Sequence, residues 1–323
     1  MQKILIIRFS SIGDIVLTTP LLRALKAQKP DIEIHYITKK VYAPVLENNP
    51  HIDQLILLED KLSTLFPQLK KEKYDFIVDL HNNLRSLRIK AVLKRPYESL
   101  DKLNRQKWLL VRFKKDHMPP VHIVERYFKT LQRLGVKNDG KGLEYYSGLE
   151  QEKSIKGLEE SIKDNFAVIV IGGTYYTKQI PEEKFDDLLA RFSLPLVLLG
   201  GPEDQRQAQK IAQKYPQKVH DLSGKTSLNE SAEIIRRSQF VVTSDTGLMH
   251  MAAAYQKKIY SVWGNTVPEF GMVPYMPENP KNSVILEVKN LPCRPCSKLG
   301  YNNCPKKHFD CMMKQDFTVI PSC

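Results

Sequence analysis

The strongest constraint on the fold is a repeated alternation of short apolar runs with helix-forming segments. The first run, "KILIIRF", is continuous and rich in isoleucine, as expected of a strand buried on both faces. Similar runs follow at intervals, each ending in polar or glycine residues: "IEIHYIT", "IDQLILLE", "YDFIVDLH", "FAVIVIGG", "PLVLLGG", "QFVVTSD" and "KIYSVWG". Alternating strands and helices predict an α/β fold built on parallel sheets.

The chain length predicts two domains, because a chain of 323 residues rarely folds around a single hydrophobic core. The composition shifts to glycine and charged residues over 137–165, which we interpret as the domain connection. We therefore predict Rossmann-like domains over 1–150 and 151–323, the second ending in a cysteine-containing tail. No apolar run reaches the length of a membrane span, and the sequence opens directly on a strand, which predicts a cytoplasmic protein.

Positive charge is concentrated in the first domain. The chain has a net charge of +13, and the segment 85–115 holds eleven basic and two acidic residues. Such a patch suits an anionic partner: nucleic acid, a membrane surface or an acidic glycolipid. The alternative is a solvated helical face. A nucleic-acid-binding protein is a rival interpretation, although the sequence has no RNP, KH or zinc-finger pattern.

Candidate functional residues fall where strands end, since ligands of open α/β sheets bind beyond the carboxyl ends of the strands. In "RFSSIGDIVLTTP", Gly13 permits a tight turn and Asp14 begins the next helix. An ionised carboxylate there can take a proton from a hydroxyl, or it can simply cap the helix. The segment matches neither a Walker loop nor the GxGxxG fingerprint.

Two loops of the second domain carry groups that suit a nucleotide. In "GGTYYTKQIP", Thr174 and Thr177 offer hydroxyls and Lys178 offers a cation, which together could hold a diphosphate. In "GGPEDQ", Glu203 could accept a hydrogen bond from a ribose or an adenine amine. An ordinary exposed lysine and a helix cap are the alternatives.

The junction "SDTGLMHMAAA" joins a strand to a helix. It places Asp245, Thr246 and Gly247 at the start of that helix and His250 one turn in. A helix N-terminus offers free N–H groups and a partial positive charge, so an anionic ligand could bind there. A capped helix with a packed histidine is the alternative.

Taken in order, five segments resemble glycosyltransferase family 9, the lipopolysaccharide heptosyltransferases: "IRFSSIGDIVLTTPLLRALK", "DLHNNLRS", "GGTYYTKQIP", "LLGGPEDQ" and "SDTGLMHMAAA…VWGNTVPEFGMVPY". The resemblance implies GT-B architecture, with two Rossmann-like parallel-sheet domains facing across a cleft. It implies an inverting transfer of heptose from ADP-heptose to the lipopolysaccharide inner core, either Kdo-lipid A or heptosylated core. No metal or other cofactor is required in that family. A different nucleotide sugar or acceptor on the same fold is the alternative.

The resemblance also implies roles for individual residues. Asp14 matches the general base, and Lys178 matches a lysine on the donor diphosphate that offsets charge on the departing ADP. The implied donor-binding set is Gly13, Thr174, Thr177, Glu203, Asp245, Thr246, Gly247, Leu248 and His250.

On the acceptor side, Arg85 and Arg88 follow "DLHNN" and could bind the acidic groups of a lipid-linked saccharide. His81 and Asn82 stand where family members more usually have Gln-Gly, which leaves the acceptor open. With such an acceptor, we expect a peripheral protein on the inner face of the cytoplasmic membrane and no nucleic-acid partner.

The cysteines near the C-terminus follow the spacing C-x2-C-x7-C-x6-C, at Cys293, Cys296, Cys304 and Cys311. Four thiolates could bind zinc tetrahedrally, although the second pair lacks the usual C-x2-C spacing. The alternative is reduced thiols in a tail, since disulfides are rare in the cytosol. Cys323 has no assignment.

Overall fold

The computed structural model describes residues 2–148 and 165–320, which form two compact units. The first unit contains residues up to Lys102 together with Val121–Gly148, and the second contains Leu103–Pro120 and the described residues from 165 onward. The predicted boundary between 150 and 151 lies outside the described residues. The structure differs from the predicted 1–150 domain in one segment, because Leu103–Pro120 packs with the second unit.

The first unit is built on a five-stranded parallel sheet with the strand order β3-β2-β1-β4-β5. Its central strand, β1, is the predicted run, and Ile4 through Ile7 are fully buried because neighbouring strands and helices cover both faces. The strands are β1 (Lys3–Ile7), β2 (Glu33–Lys39), β3 (Gln54–Leu58), β4 (Phe76–Asp79) and β5 (Tyr97–Ser99).

The helical segment that the sequence predicts after Gly13 is two helices, α1 (Ile12–Val16) and α2 (Thr19–Gln28). Pro20 near the start of α2 cannot donate a backbone hydrogen bond, which favours a new helix start over continuation of α1. The other helices of this unit are α3 (Phe66–Lys71), α4 (Leu84–Leu93) and α6 (Ile123–Lys129).

The second unit has a six-stranded parallel sheet with the order β11-β10-β9-β6-β7-β8. Strand β6 lies between β9 and β7, and Val168 pairs with Val241 on one side and Val197 on the other. The strands are β6 (Ala167–Val170), β7 (Leu196–Leu199), β8 (Val219–Asp221), β9 (Phe240–Ser244), β10 (Lys258–Trp263) and β11 (Ser283–Glu287).

Six helices pack in the second unit: α5 (Asn104–Phe113), α7 (Phe185–Leu189), α8 (Gln205–Lys214), α9 (Leu228–Arg237), α10 (Gly247–Ala254) and α11 (Asp310–Met313). Helix α5 belongs here because Leu110 is buried against Val267 and Phe270. Short 3₁₀ turns complete both units, at Lys40–Val45, Leu62–Leu65, Gln132–Leu134, Tyr176–Lys178, Glu182–Lys184, Pro202–Asp204, Pro268–Phe270 and Pro280–Asn282.

Each unit is thus a parallel α/β domain, as predicted. The polar loops singled out in the sequence follow β1, β4, β6, β7 and β9, at the carboxyl ends of the strands. Among the helices of the described residues, none combines the length and the apolar composition needed to cross a bilayer.

Candidate active site

In the first unit, Asp14 lies in α1 directly after the loop that leaves β1. Its Oδ1 is 2.5 Å from Nη2 of Arg8, and its Oδ2 accepts a hydrogen bond of 2.7 Å from the Ser11 hydroxyl. The side chain of Asp14 keeps 22% of its surface exposed, so it is only partly buried.

Arg8 is the residue that fixes this carboxylate, and the sequence interpretation missed it. Its Nη1 donates to the carbonyl of Leu80 at 2.5 Å and its Nε to the carbonyl of Ser10 at 2.8 Å. Burial alone would raise the pKa of Asp14, but the charge of Arg8 and the hydrogen bonds from Ser11 outweigh it and lower that pKa. Asp14 is therefore ionised and oriented at neutral pH.

The loop after β4 is organised by a buried carboxylate, Asp79. It accepts the N–H groups of His81 and Asn82, at 3.1 and 2.7 Å, and pairs with Lys90 at 2.7 Å. Burial, with the nearby charge of Arg8, lowers the pKa of His81 to about 4. The imidazole is therefore neutral at pH 7, which makes it a hydrogen-bonding group rather than a cation.

Arg85 and Arg88 lie in the first turns of α4, and both are exposed. The helix begins at Asn83, whose side chain accepts the N–H groups of Arg85 and Ser86. The guanidinium of Arg88 lies over the ring of Phe66, 5.9 Å from its centroid. Both arginines are accessible to an anionic ligand.

In the second unit, Lys178 and Asp245 form an ion pair between two predicted loops. The Lys178 Nζ is 2.6 Å from Oδ2 of Asp245, and the Thr266 hydroxyl donates to the same oxygen at 3.2 Å. The two side chains are 16% and 15% exposed. The lysine is therefore held at the end of β9 and keeps access to solvent.

Beside this pair, α10 begins. Thr246 is its N-cap, and its hydroxyl accepts the N–H of Met249. The N–H groups of Gly247 and Leu248, the first two residues of the helix, have no acceptor within the helix. His250 is 2% exposed, so its ring is buried inside the unit. The junction combines a helix N-terminus with an adjacent ammonium group, which suits an anion.

The remaining predicted donor residues are placed differently. Gly13 is buried in α1 of the first unit, whereas Thr174 and Glu203 are exposed on loops of the second. Thr177 is 1% exposed, and its hydroxyl donates to the Tyr301 carbonyl and accepts the Tyr301 N–H. Thr177 therefore holds the C-terminal segment in this structure, and its role as a donor ligand stays a prediction.

Another residue missed from the sequence is Asp204, the buried neighbour of Glu203. It accepts the N–H of Gly201 at 2.8 Å, and an added Cβ on Gly172 would meet its carboxylate at 2.4 Å. Glycine at 172 therefore lets the loops after β6 and β7 approach each other through this side chain.

The family model of glycosyltransferase family 9 (heptosyltransferase) matches residues 62–304, three quarters of the chain. This chain belongs to glycosyltransferase family 9. It is 26% identical over 302 residues to lipooligosaccharide heptosyltransferase 2 of Haemophilus influenzae, covering 83% of this chain and 85% of that protein.

Solved structures of family 9 glycosyltransferases share the fold. The crystal structure of a glycosyltransferase family 9 protein from Veillonella parvula superposes with a TM-score of 0.72 at 25% identity, over 89% of this chain and 86% of that one. The structure of E. coli ADP-heptose LPS heptosyltransferase II gives a TM-score of 0.70 at 20% identity, over 97% and 98%. The predicted GT-B fold is confirmed.

Proposed function

We propose that this family 9 glycosyltransferase transfers heptose from ADP-heptose to the inner core of lipopolysaccharide, with inversion at the anomeric carbon. The names of its relatives support the proposal: one is a lipooligosaccharide heptosyltransferase of Haemophilus influenzae, and another is an ADP-heptose LPS heptosyltransferase of E. coli. The structural observation that carries it is the Lys178–Asp245 pair beside the N-terminus of α10.

On the donor side, the diphosphate binds the N–H groups of Gly247 and Leu248, and Lys178 contributes its ammonium. When the bond between the anomeric carbon and the phosphate oxygen breaks, the electron pair leaves with ADP. Lys178 and the helix N-terminus then stabilise the added negative charge. Asp245 holds the lysine in place and presents its second carboxylate oxygen to sugar hydroxyls.

On the acceptor side, Asp14 is the general base. Its ionised carboxylate takes the proton of the acceptor hydroxyl as that oxygen forms a bond to the anomeric carbon. Arg8 keeps the carboxylate charged and fixes one of its oxygens. Arg85 and Arg88 bind acidic groups of the acceptor, for which their planar, forked guanidinium groups are suited.

We also propose peripheral binding to the inner face of the cytoplasmic membrane, where a lipid-linked acceptor is presented. Large apolar side chains are exposed beside basic residues on one helix of each unit, α4 in the first and α5 in the second. They are Leu84 and Leu87 on α4, and Trp108 and Phe113 on α5. Exposed aromatic and aliphatic side chains beside Lys and Arg are typical of surfaces that bind anionic lipid headgroups. Co-sedimentation with anionic vesicles measures this binding.

Calorimetric titration of the protein with ADP, UDP and GDP, without added metal, tests the donor assignment. We expect selective binding of ADP that weakens at least tenfold in Lys178→Ala. Lys210→Ala is the matched control, because that exposed lysine pairs only with Glu182 among the described residues. Selective binding of UDP or GDP would overturn ADP-heptose as donor and favour another nucleotide sugar.

A further inference from the structure

Four cysteines of the second unit surround one small cavity. Cys293, Cys296, Cys304 and Cys311 all line it, although up to 18 residues of sequence separate them. The cavity has a volume of about 20 Å³, enough for one water-sized sphere. A space of this size accommodates a single ion.

The wall of this cavity contains a buried polar side chain without partners. Asn265 is 1% exposed, and neither atom of its side-chain amide has a hydrogen-bond partner among the described residues. Leaving a buried amide unsatisfied costs about 1–3 kcal/mol. Thiolate sulfurs around a cation would give the N–H groups of this amide an acceptor, so the buried amide favours an anionic ligand set at this cavity.

Basic side chains lie beside this cavity. Arg294 lines the cavity, and Lys114 from α5 donates to the carbonyls of Cys293 and Pro295 at 3.3 and 2.6 Å. His308 also lines the cavity, with its Nε2 3.9 Å from the Cys293 sulfur. The ammonium of Lys114 would offset part of the net charge of about −2 that four thiolates and a divalent metal carry, whereas the Arg294 guanidinium is paired with Glu287 at 2.7 Å.

We propose that Cys293, Cys296, Cys304 and Cys311 bind one thiophilic metal ion in a tetrahedral site, with Zn²⁺ as the ion whose preferences fit best. Zinc–sulfur bonds of about 2.3 Å place the sulfurs about 3.8 Å apart. Among the described residues, only Glu33, His35 and Glu72 bring three ligand atoms within 4.8 Å of one another. Binding therefore draws the cysteine sulfurs closer together than they lie here.

The cluster of Glu33, His35 and Glu72 is not a rival metal site, because a cation of the protein already neutralises it. The ammonium of Lys3 lies 3.1 Å from Glu33 and 2.7 Å from Glu72. His35 is also engaged on both ring nitrogens, by Glu33 and Tyr74.

The metal site would brace the loop that carries Lys178. The segment between Cys296 and Cys304 holds this loop through Tyr301, whose backbone forms three hydrogen bonds with Thr177. Between Cys304 and Cys311, Phe309 stacks on Tyr176 with 5.0 Å between the ring centroids. Fixing the cysteine segment therefore fixes the backbone of the residue next to Lys178. This second step rests on the proposed function of Lys178.

Measuring the metal content is the first test, and its result does not depend on which nucleotide sugar the protein uses. We expect about one equivalent of zinc per chain by inductively coupled plasma mass spectrometry, and one equivalent of Co²⁺ after exchange, with thiolate-to-cobalt charge-transfer bands. Iron in place of zinc supports the same tetrathiolate site and revises the ion. Protein without metal that also gives no charge-transfer bands on Co²⁺ addition overturns the proposal.

Variants locate the site. Cys293→Ser with Cys296→Ser should remove the metal and the cobalt bands, whereas Cys323→Ser, outside the spacing motif, should retain both. If the double variant does not fold, Cys304→Ser and cobalt titration of chelator-treated wild-type protein give the same readout. Metal retained in both the double variant and Cys304→Ser contradicts the assignment.

ADP affinity then tests the brace. Removing the metal with a chelator should weaken ADP binding in wild type by several-fold and have little effect in Lys178→Ala, because the brace acts through that residue. Equal weakening in both proteins overturns the brace but not the metal site. If neither protein binds ADP while metal is present, the donor proposal fails and the metal assignment stands.

Discussion

The guanidinium of Arg8 lies 2.5 Å from the carboxylate of Asp14, and Arg8 is the first residue of the four-residue loop that joins β1 to α1. The pair keeps a partly buried carboxylate ionised and oriented. Because burial alone would raise the pKa of Asp14, the arginine determines the protonation state of the proposed base.

Replacing Asp14 with Asn should lower kcat for heptosyl transfer by about 10²–10⁴-fold, since that is the usual contribution of general base catalysis. ADP affinity should change less than about twofold, because the diphosphate contacts proposed here lie in the second unit. Steady-state kinetics and calorimetry measure the two effects. Asp60→Asn, at an exposed position of the same unit, is the control, and full activity in Asp14→Asn would show that another group is the base.

Replacing Arg8 with Gln should shift the acidic limb of the pH–rate profile to higher pH. In wild type, Arg8 and Ser11 hold the pKa of Asp14 below its ordinary value, so the base stays ionised through mildly acidic pH. Without the arginine, burial dominates and raises that pKa. Arg133→Gln, an exposed arginine of the same unit, should leave the profile in place. An unshifted limb in Arg8→Gln would mean that Arg8 does not control the base.

The pair of Arg8 and Asp14 should make the free energy of unfolding fall at acidic pH. The folded pKa of Asp14 is lower than its unfolded value, so its contribution to the free energy of unfolding is present above about pH 4. That contribution is lost as the pH falls through the folded pKa. Denaturant unfolding at pH 7 and pH 3 should therefore show a smaller loss of stability in Asp14→Asn than in wild type.

His81 should make the protein less stable as the pH falls from about 6.5 toward 4. Its folded pKa of about 4 lies below the unfolded value, so the unfolded chain takes up the proton first and is favoured. The free energy of unfolding should fall by about 1.4 kcal/mol per pH unit between those two pH values. Urea unfolding of wild type and His81→Gln at pH 7 and 5 isolates this residue, and equal losses in both proteins would contradict the assignment.

Lys178→Ala should discriminate between nucleotides by their phosphates. The ammonium is placed for a diphosphate, so we expect ADP affinity to fall at least tenfold and AMP affinity to change much less. Lys178→Arg should restore part of the ADP affinity, because the charge is kept while the geometry changes. Calorimetry with both nucleotides is the measurement. Equal losses for ADP and AMP would place Lys178 near the nucleoside or assign it a folding role.

Trp108→Ser combined with Phe113→Ser should weaken binding to anionic vesicles by about tenfold and leave ADP affinity unchanged. The ring centroids of Trp108 and Phe113 lie 5.1 Å apart, and each side chain is 53% exposed, so removing the rings costs little packing. Leu299→Ser, at an exposed apolar position of the same unit, is the control. Comparing vesicles of phosphatidylglycerol with vesicles of phosphatidylcholine separates the contribution of charge to binding from that of apolar contact. Unchanged sedimentation of the double variant would show that α5 does not contribute to membrane binding.

The sheets were predictable because their strands are buried on both faces and read as continuous apolar runs, as in Ile4–Ile7 and Val241–Val242. Strand β5 was missed because its three residues, Tyr97–Ser99, include a charged residue and follow Pro96. Helix α4 was hidden in the basic patch, although Asn83 is an ordinary N-cap signal that could have located its start.

The site was predictable to the level of its loops, since polar residues at the ends of buried strands are visible in sequence. The partners that tune those residues were not. Arg8 extends an apolar strand and gives no local sign that it pairs with Asp14. Similarly, the burial of Thr177 depends on Tyr301, more than 120 residues away, a contact that no local pattern encodes.

The assignment of Leu103–Pro120 to the second unit affects how this protein can be made and divided. An N-terminal fragment that ends near residue 148 would carry α5 without Val267 and Phe270, and would expose Leu110 to solvent. During translation, α5 likewise emerges long before Val267 and Phe270, so its apolar face stays uncovered until that later part of the chain has been made. A chimera that takes its second unit from a homologous enzyme should therefore take two separate segments from it, residues 103–120 and the C-terminal half.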